Sequence, residues 1–173
     1  MSEGTIKLHL GCGKNKLSGF VGVDIAALPG VDVVHDLSKL PWPFGDDSVS
    51  EVVMLNILEH LPDTVATLTE VWRITQANAA VRILVPYYNS RAAWDDPTHC
   101  RFFTERTWDY FTDDPSKQWS RFNFYTHARF DLISLELLQP RPLRLLPRSL
   151  QLFLAHRLAT VAAMDVRLRT RKS

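Results

Sequence analysis

Gly11-Cys12-Gly13, Asp24, Asp36 and Asn56 are the residues whose types and spacing suit chemistry on a nucleoside. In LHLGCGKNKLSGFVGVDI, Leu8 to Ile25, the glycine pair follows one short apolar run and Asp24 closes the next. Glycine lets the backbone come within contact distance of a ligand and accepts angles that a side chain forbids. An aspartate at the end of the second run can accept hydrogen bonds from both hydroxyls of a ribose. The commoner phosphate sites do not fit. A dinucleotide fingerprint requires Gly-x-Gly-x-x-Gly, a full helix and an acid roughly 20 positions on. Here Lys16 stands at the third glycine, and Asp24 follows Gly13 by only eleven residues. No Gly-x-x-x-x-Gly-Lys-Ser/Thr occurs anywhere in the chain, which excludes a Walker-type loop. What remains is a site for an adenosine without a phosphate chain.

Those residues can meet only if the elements around them form a sheet with a common rim. Residues 6–10, 19–25 and 31–35 are short β-branched-rich runs punctuated by Gly, Pro and Asp, and they predict three strands in quick succession. The turn-rich stretch LSKLPWPFGDDSVS reads as a loop, and residues 51–55 as a fourth strand. Asp63 can cap a helix to about Ile74, because Val65, Leu68, Val71 and Trp72 recur at helical spacing behind Pro62. Residues 80–85 are almost wholly apolar, as expected of a strand in the buried middle of a parallel sheet. The pattern predicts an α/β domain, with ligands collecting where the carboxyl ends of its strands meet loops. One point stays open: a parallel crossover needs a dozen or more residues, and the interval from Gly11 to Val21 is shorter, which equally suits a hairpin.

Beyond Pro86, YYNSRAAWDDPTHCRFF is rich in aromatics and charges and reads as a lid, with Thr104 able to cap a short helix through Phe111. Residues 130–138 and 165–171 alternate well enough for a closing antiparallel pair. Between them Leu150, Phe153, Leu154, Leu158 and Val161 predict one apolar helical face. A chain of 173 residues with 46% hydrophobic content suits a single domain over 1–173. Its parts are a core at 5–86, a lid and substrate segment at 87–128, and closing strands with an amphipathic helix at 129–173.

The formal net charge of +1 is unevenly spread, since residues 141–173 hold eight basic residues against Asp165 alone. Cys12 and Cys100 are the only cysteines, without CxxC or Cys/His ligand spacing, so a reducing cytoplasm is the simplest home. MSEGTIKLHL has no apolar run behind a basic region, and no segment has the length of a bilayer span. The expectation is a cytoplasmic protein, at most peripheral to a membrane.

LHLGCG, VGVD, HDLSKLPWPFGDDSVSEVVMLNILEHL and VRILVP resemble, in order, the motifs of class I S-adenosylmethionine-dependent methyltransferases. The chain is similar in particular to small members with a shortened first helix and an Asp-Pro-Thr-His segment after the fifth strand. The resemblance implies a Rossmann-like, mostly parallel sheet with a C-terminal antiparallel pair and a small lid insertion after strand 5. It also implies S-adenosylmethionine as cofactor and S-adenosylhomocysteine as product. On that basis Gly11, Cys12 and Gly13 line the methionine part, Asp24 holds the ribose, Asp36 meets the adenine amino group, and Ile25 and Leu37 pack on the ring. Asn56 would approach the methionine ammonium through its carbonyl. The chain departs from the pattern at Asn15, where a third glycine is usual, in the space left for the first helix, and at Gln76-Ala77-Asn78, where Pro-Gly-Gly is common.

Methyl transfer from a sulfonium is an in-line displacement, so the protein mainly positions a nucleophile. A base is needed only where the acceptor must lose a proton, and His suits that near neutral pH. His99 and His60 are the candidates, each with a plausible structural role as an alternative. Tyr87, Tyr88 and Phe103 can wall an acceptor pocket, with Arg91, Asp96 and Arg101 as its polar groups. Asp95, Asp96 and His99 lack a second ligand pair at defined spacing, so no metal is expected. The expected acceptor is a small molecule, a glycan or a lipid-linked group, modified on O or N. Arg144, Arg148 and Arg157 around the apolar helical face suit peripheral contact with an anionic membrane. Two other functions compete: a cofactor-binding protein without turnover, and a nucleic-acid methyltransferase. The last is disfavoured because the basic residues lack a recognisable nucleic-acid-binding fold.

Overall fold

Residues 11–20, too few for an ordinary crossover, nevertheless join two parallel strands. The computed structural model describes residues 5–172 and pairs β1 (Ile6–Leu10) with β2 (Val21–Asp24) in parallel, Leu8 opposite Val21 and Leu10 opposite Val23. The hairpin alternative is therefore excluded. Side chains take the place of the missing helix. Leu17 N–H donates to Nδ1 of the buried His9 at 3.3 Å. Lys16 pairs with Asp32 at 2.8 Å, and the same carboxylate accepts the Gly22 N–H at 2.7 Å. Lys16 and Gly22 together hold the Asp32 carboxyl below its usual range.

The remaining strands are β3 (Val33–Val34), β4 (Val49–Leu55), β5 (Thr75–Pro86), β6 (Arg129–Leu138) and β7 (Ala163–Arg171). They form one seven-stranded sheet in the order β3-β2-β1-β4-β5-β7-β6. The first five are parallel, and β7 inserts antiparallel between β5 and β6. This is the expected Rossmann-like α/β sheet with a closing antiparallel pair. Helix α1 (Thr64–Ile74) begins where the sequence places it, with the Asp63 carboxylate accepting the Ala66 N–H. At the expected Pro-Gly-Gly site Asn78 takes φ +64°, a left-handed conformation that Asn tolerates better than most side chains.

The apolar run of β5 predicts burial on both faces, but only one is buried. Val81, Ile83 and Val85 are in the core, whereas Ala80 is exposed and Arg82 and Leu84 are half-buried. Right-handed crossovers leaving β1 in opposite directions lie on opposite faces of such a sheet. The β4-to-β5 connection keeps its helix, α1, while the β1-to-β2 and β2-to-β3 connections are loops. The less covered face carries ion pairs instead, Lys7 with Glu51 at 2.8 Å and Arg82 with Asp165 at 2.6 Å.

The segment after β5 contains α2 (Arg91–Asp95) and two 3₁₀ turns, Thr107–Phe111 and Ser120–Tyr125. The helix expected from Thr104 is the first of those turns. Tyr87, Phe103, Trp108 and Phe111 are fully or almost fully buried and continue the core toward Phe130. The C-terminal helices are α3 (Arg141–Arg144) and α4 (Arg148–Leu158). The apolar face expected on α4 is not its packed face. Ala155 is buried and Leu152 packs on the core, while Leu150, Phe153 and Leu158 face solvent and Val161 lies past the helix end. Among the described residues no helix is long and apolar enough to cross a membrane.

Candidate functional site

Two cavities adjoin at the carboxyl ends of β1, β2 and β4, and His60 lines both. The smaller, about 350 Å³, is walled by Gly11, Asp24, Ile25, Asp36, Leu37, Ser38, Ile57, His60 and Leu61. Gly11 sits at φ +65°, and a Cβ there would lie 2.4 Å from Cγ1 of Ile57. Only glycine fits that close approach. The Gly13 N–H donates to Asp24 Oδ2 at 2.8 Å, and the Ala26 N–H donates to Oδ1 at 3.1 Å. An ionised carboxylate offers about four acceptor sites, so Asp24 keeps capacity for two more donors. Ile25 leaves 68% of its surface exposed at the rim.

Asp36 lies beyond β3 in a turn whose Oδ1 accepts both the Ser38 hydroxyl at 2.6 Å and the Ser38 N–H at 2.9 Å. Those bonds, the hydroxyl first, hold its carboxyl below the usual range and leave Oδ2 uncommitted. Leu37 is buried, and its carbonyl accepts the Trp42 Nε1–H at 3.1 Å. The rest of this loop is tied to α1. Glu70 accepts the Trp42 N–H at 2.6 Å, and Arg73 bonds Glu70, Asp46 and the carbonyl of Phe44. Cys12 and Gly13 do not line the cavity. The Cys12 side chain is buried against Gly22, so only its backbone belongs to the rim.

The larger cavity, about 550 Å³, is walled by Asn56, Glu59, His60, Pro86, Ala92, Asp95, Asp96, Pro97 and His99. Glu59 and His60 come from a 3₁₀ turn, Leu58–His60, that follows β4. The Asp-Pro-Thr-His segment docks directly on that turn. The Glu59 carbonyl accepts the N–H groups of Cys100 at 2.9 Å and Arg101 at 3.2 Å. Asp96 Oδ1 accepts the Thr98 N–H at 2.8 Å and the Thr98 hydroxyl at 2.6 Å, which folds the turn that presents His99. The His60 and His99 rings meet edge to face with centroids 4.7 Å apart. The Glu59 side chain, 1% exposed, reaches no hydrogen-bond partner with either oxygen. Burial raises its carboxyl to about 7. Burial, and then the neighbouring His99, push the His60 imidazole below its usual range.

Of the residues expected to contact an acceptor, only Asp96 lines this cavity. Tyr87 and Phe103 are core, the Tyr87 hydroxyl donating to Glu105 at 2.9 Å. Tyr88 turns toward His156, 3.2 Å away, and ties this segment to α4. Arg91 projects into solvent beside Asp95 at 3.7 Å. Arg101 holds the carbonyls of Cys100 and Pro62. Aromatic composition marks a wall equally well whether it faces a ligand or a core, and burial decides here for the core. Asn56 takes φ +53° at the end of β4 and lines the larger cavity. The acid missed by sequence reasoning is Glu59, whose signal was its place beside His60 between Leu58 and Leu61.

By sequence the chain matches no protein-family model. No curated protein matches it in sequence either. Solved structures do. An S-adenosylmethionine-dependent methyltransferase from Archaeoglobus fulgidus superposes with a TM-score of 0.62 at 16% identity, over 96% of this chain and 86% of that one. One from Mesorhizobium loti gives 0.56 at 14%, over 95% and 90%. The fold is that of the class I S-adenosylmethionine-dependent methyltransferases. The methyltransferase fold also carries other chemistry: the [4+2]-cyclase SpnF superposes at 0.60 with 12% identity, over 98% of this chain and 76% of that one. Function therefore rests on the site and not on the fold.

Proposed function

We propose that this protein transfers the methyl group of S-adenosylmethionine to a small acceptor held in the larger cavity. The observation that carries the reading is the junction of the two cavities at His60, nucleoside-type acceptors on one side and an imidazole–carboxylate cluster on the other. The smaller cavity fits the cofactor by its donor set: a glycine approach at Gly11, spare acceptor capacity on Asp24 and on Asp36 Oδ2, and apolar walls from Ile25 and Leu37. Bound there, the cofactor supplies an electrophilic methyl on a sulfonium. Asp24 holds the ribose hydroxyls, Asp36 the adenine amino group, and the Gly11 backbone makes room for the amino-acid portion. Asn56, at the boundary, offers its carbonyl to the ammonium. Cluster side chains then receive the acceptor and position its heteroatom, which is most of what an in-line displacement asks of a protein.

The decisive measurement is calorimetric titration of the folded chain with S-adenosylhomocysteine. Saturable binding of one molecule is expected, and no heat at millimolar ligand would end the proposal. A binder without turnover would pass that test but consume no cofactor across an acceptor screen.

A lipid-linked acceptor is favoured over a freely soluble one by the stretch from the end of α3 through α4. Leu145, Phe153 and Leu158 are 88%, 57% and 65% exposed, close in sequence to Arg144, Arg148 and Arg157. That combination suits an anionic membrane surface. Co-sedimentation with phosphatidylglycerol vesicles, but not with phosphatidylcholine vesicles, is expected and should fall in Phe153→Ser. The thiols of Cys12 and Cys100 are unpaired, which accords with work in a reducing cytoplasm.

A further inference from the structure

We propose that Glu59, His60 and His99 bind one first-row divalent transition-metal ion, which ligates a hydroxyl oxygen of the acceptor in the larger cavity. One ligand atom from each of the three lies within 4.8 Å of the other two. His99 Nε2 is 3.9 Å from Glu59 Oε1 and 3.9 Å from Asp96 Oδ2, too far to hydrogen-bond. Two donors each about 2.1 Å from a shared tetrahedral ion stand about 3.4 Å apart. Small side-chain rotations would therefore close the set on an ion.

The proton positions select the same use. His99 Nδ1 lies 3.1 Å from the Ala93 carbonyl, which can only accept, so Nδ1 carries the proton and Nε2 presents a lone pair. His60 Nδ1 lies 2.8 Å from the Thr98 hydroxyl. That hydroxyl has one proton and gives it to Asp96 Oδ1 at 2.6 Å. Thr98 must then accept from His60 Nδ1–H, which leaves the His60 Nε2 lone pair bare. Imidazoles that ligate metals are oriented this way, the far nitrogen donating to a carbonyl or another acceptor behind it.

Glu59 supplies the independent observation. Both its oxygens are buried without a partner, a state that is costly for a carboxylate unless a cation compensates it. No Lys or Arg lines this cavity. Two imidazoles and a carboxylate suit manganese through zinc better than calcium or magnesium, which prefer oxygen ligands. Three protein ligands leave positions open toward the cavity. A hydroxyl oxygen taking one of them loses its proton to solvent at lower cost, which makes the acceptor an alcohol. That use rests on the methyl-transfer reading, whereas binding of the ion does not.

The test strips the full chain with a chelator and titrates it with Co²⁺, followed by visible absorption, and with Zn²⁺ by calorimetry. One ion per chain is expected. Affinity should fall about tenfold or more in Glu59→Gln and in His99→Ala, with thermal melts confirming that each variant folds. Absence of binding by folded wild type, or equal affinity in both variants, would overturn the site. S-adenosylhomocysteine titrated into the same stripped protein separates the two ideas. Nucleoside binding together with failure of the ion titrations sinks the metal alone, and ion binding together with failure of the nucleoside titration sinks methyl transfer alone.

Discussion

Asp24→Ala is the perturbation whose size follows most directly from the geometry. The carboxylate already accepts Gly13 N–H on Oδ2 and Ala26 N–H on Oδ1, at 2.8 and 3.1 Å. Two acceptor sites remain for the two hydroxyls of a ribose. A hydrogen bond to a charged group is worth about 1.5–3 kcal/mol, so losing two costs about 3–6 kcal/mol. That is roughly a hundred- to ten-thousand-fold in affinity for S-adenosylhomocysteine. The rim is solvent-accessible, so the freed N–H groups can bond water, and the variant should lose only about 1 kcal/mol of stability. Asp24→Asn, which keeps one carbonyl oxygen, should fall between alanine and wild type. Calorimetric titration reads the affinity, and urea unfolding reads the stability. A folded Asp24→Ala that binds within threefold of wild type would refute the placement of the ribose.

Gly11→Ala should weaken the same titration more than tenfold, because its Cβ would lie 2.4–2.8 Å from side-chain carbons of Ile57, a residue of the same cavity. Gly13→Ala, with nothing within 4 Å of its Cβ, should lose only the about 1–2 kcal/mol of left-handed strain, and equal effects on binding would argue against the cavity assignment. Trp108 is fully buried with Nε1 unpartnered. Trp108→Phe removes that orphan donor as well as volume and should cost under about 1.5 kcal/mol by urea unfolding, against about 3–5 kcal/mol for Trp108→Ala; matching losses would mean the indole N–H has a partner. Burial lowers the pKa of His9 below its usual value. The unfolded chain therefore binds the proton first as pH falls, so this residue's contribution is intact above about pH 6.5 and declines below it. The loss between pH 7.5 and 5.5 should be smaller in His9→Gln, and an unchanged slope would exclude His9 as its source.

Local periodicity and chemistry determined much of this protein. Asp63 caps α1, and the helix ends at Ile74 as its apolar spacing indicates. In β7 the alternation of Met164, Val166, Leu168 and Thr170 inward with Arg167, Arg169 and Arg171 outward follows the period of a strand. Gly11, Asp24, Asp36 and Leu37 reach one cavity because each closes or follows a parallel strand, and the carboxyl ends of such strands share a rim. These features are legible because each depends on residues a few positions apart.

Tertiary structure decided the rest. Whether residues 11–20 turned back as a hairpin or ran on to a parallel strand depended on anchors from His9 and Asp32, contacts that no local pattern encodes. Tyr87 and Phe103 went to the core rather than a pocket, and α4 packed through Ala155 rather than through its larger apolar side chains. An apolar side chain buries against whatever neighbour the topology supplies, and composition does not name that neighbour. The clearest case is Glu59. Leu58 and Leu61 mark its turn as apolar, but no local pattern says what its side chain faces. The docking of Cys100 and Arg101 on its carbonyl, about forty residues away in sequence, closes the site over it and brings His99 to its side chain.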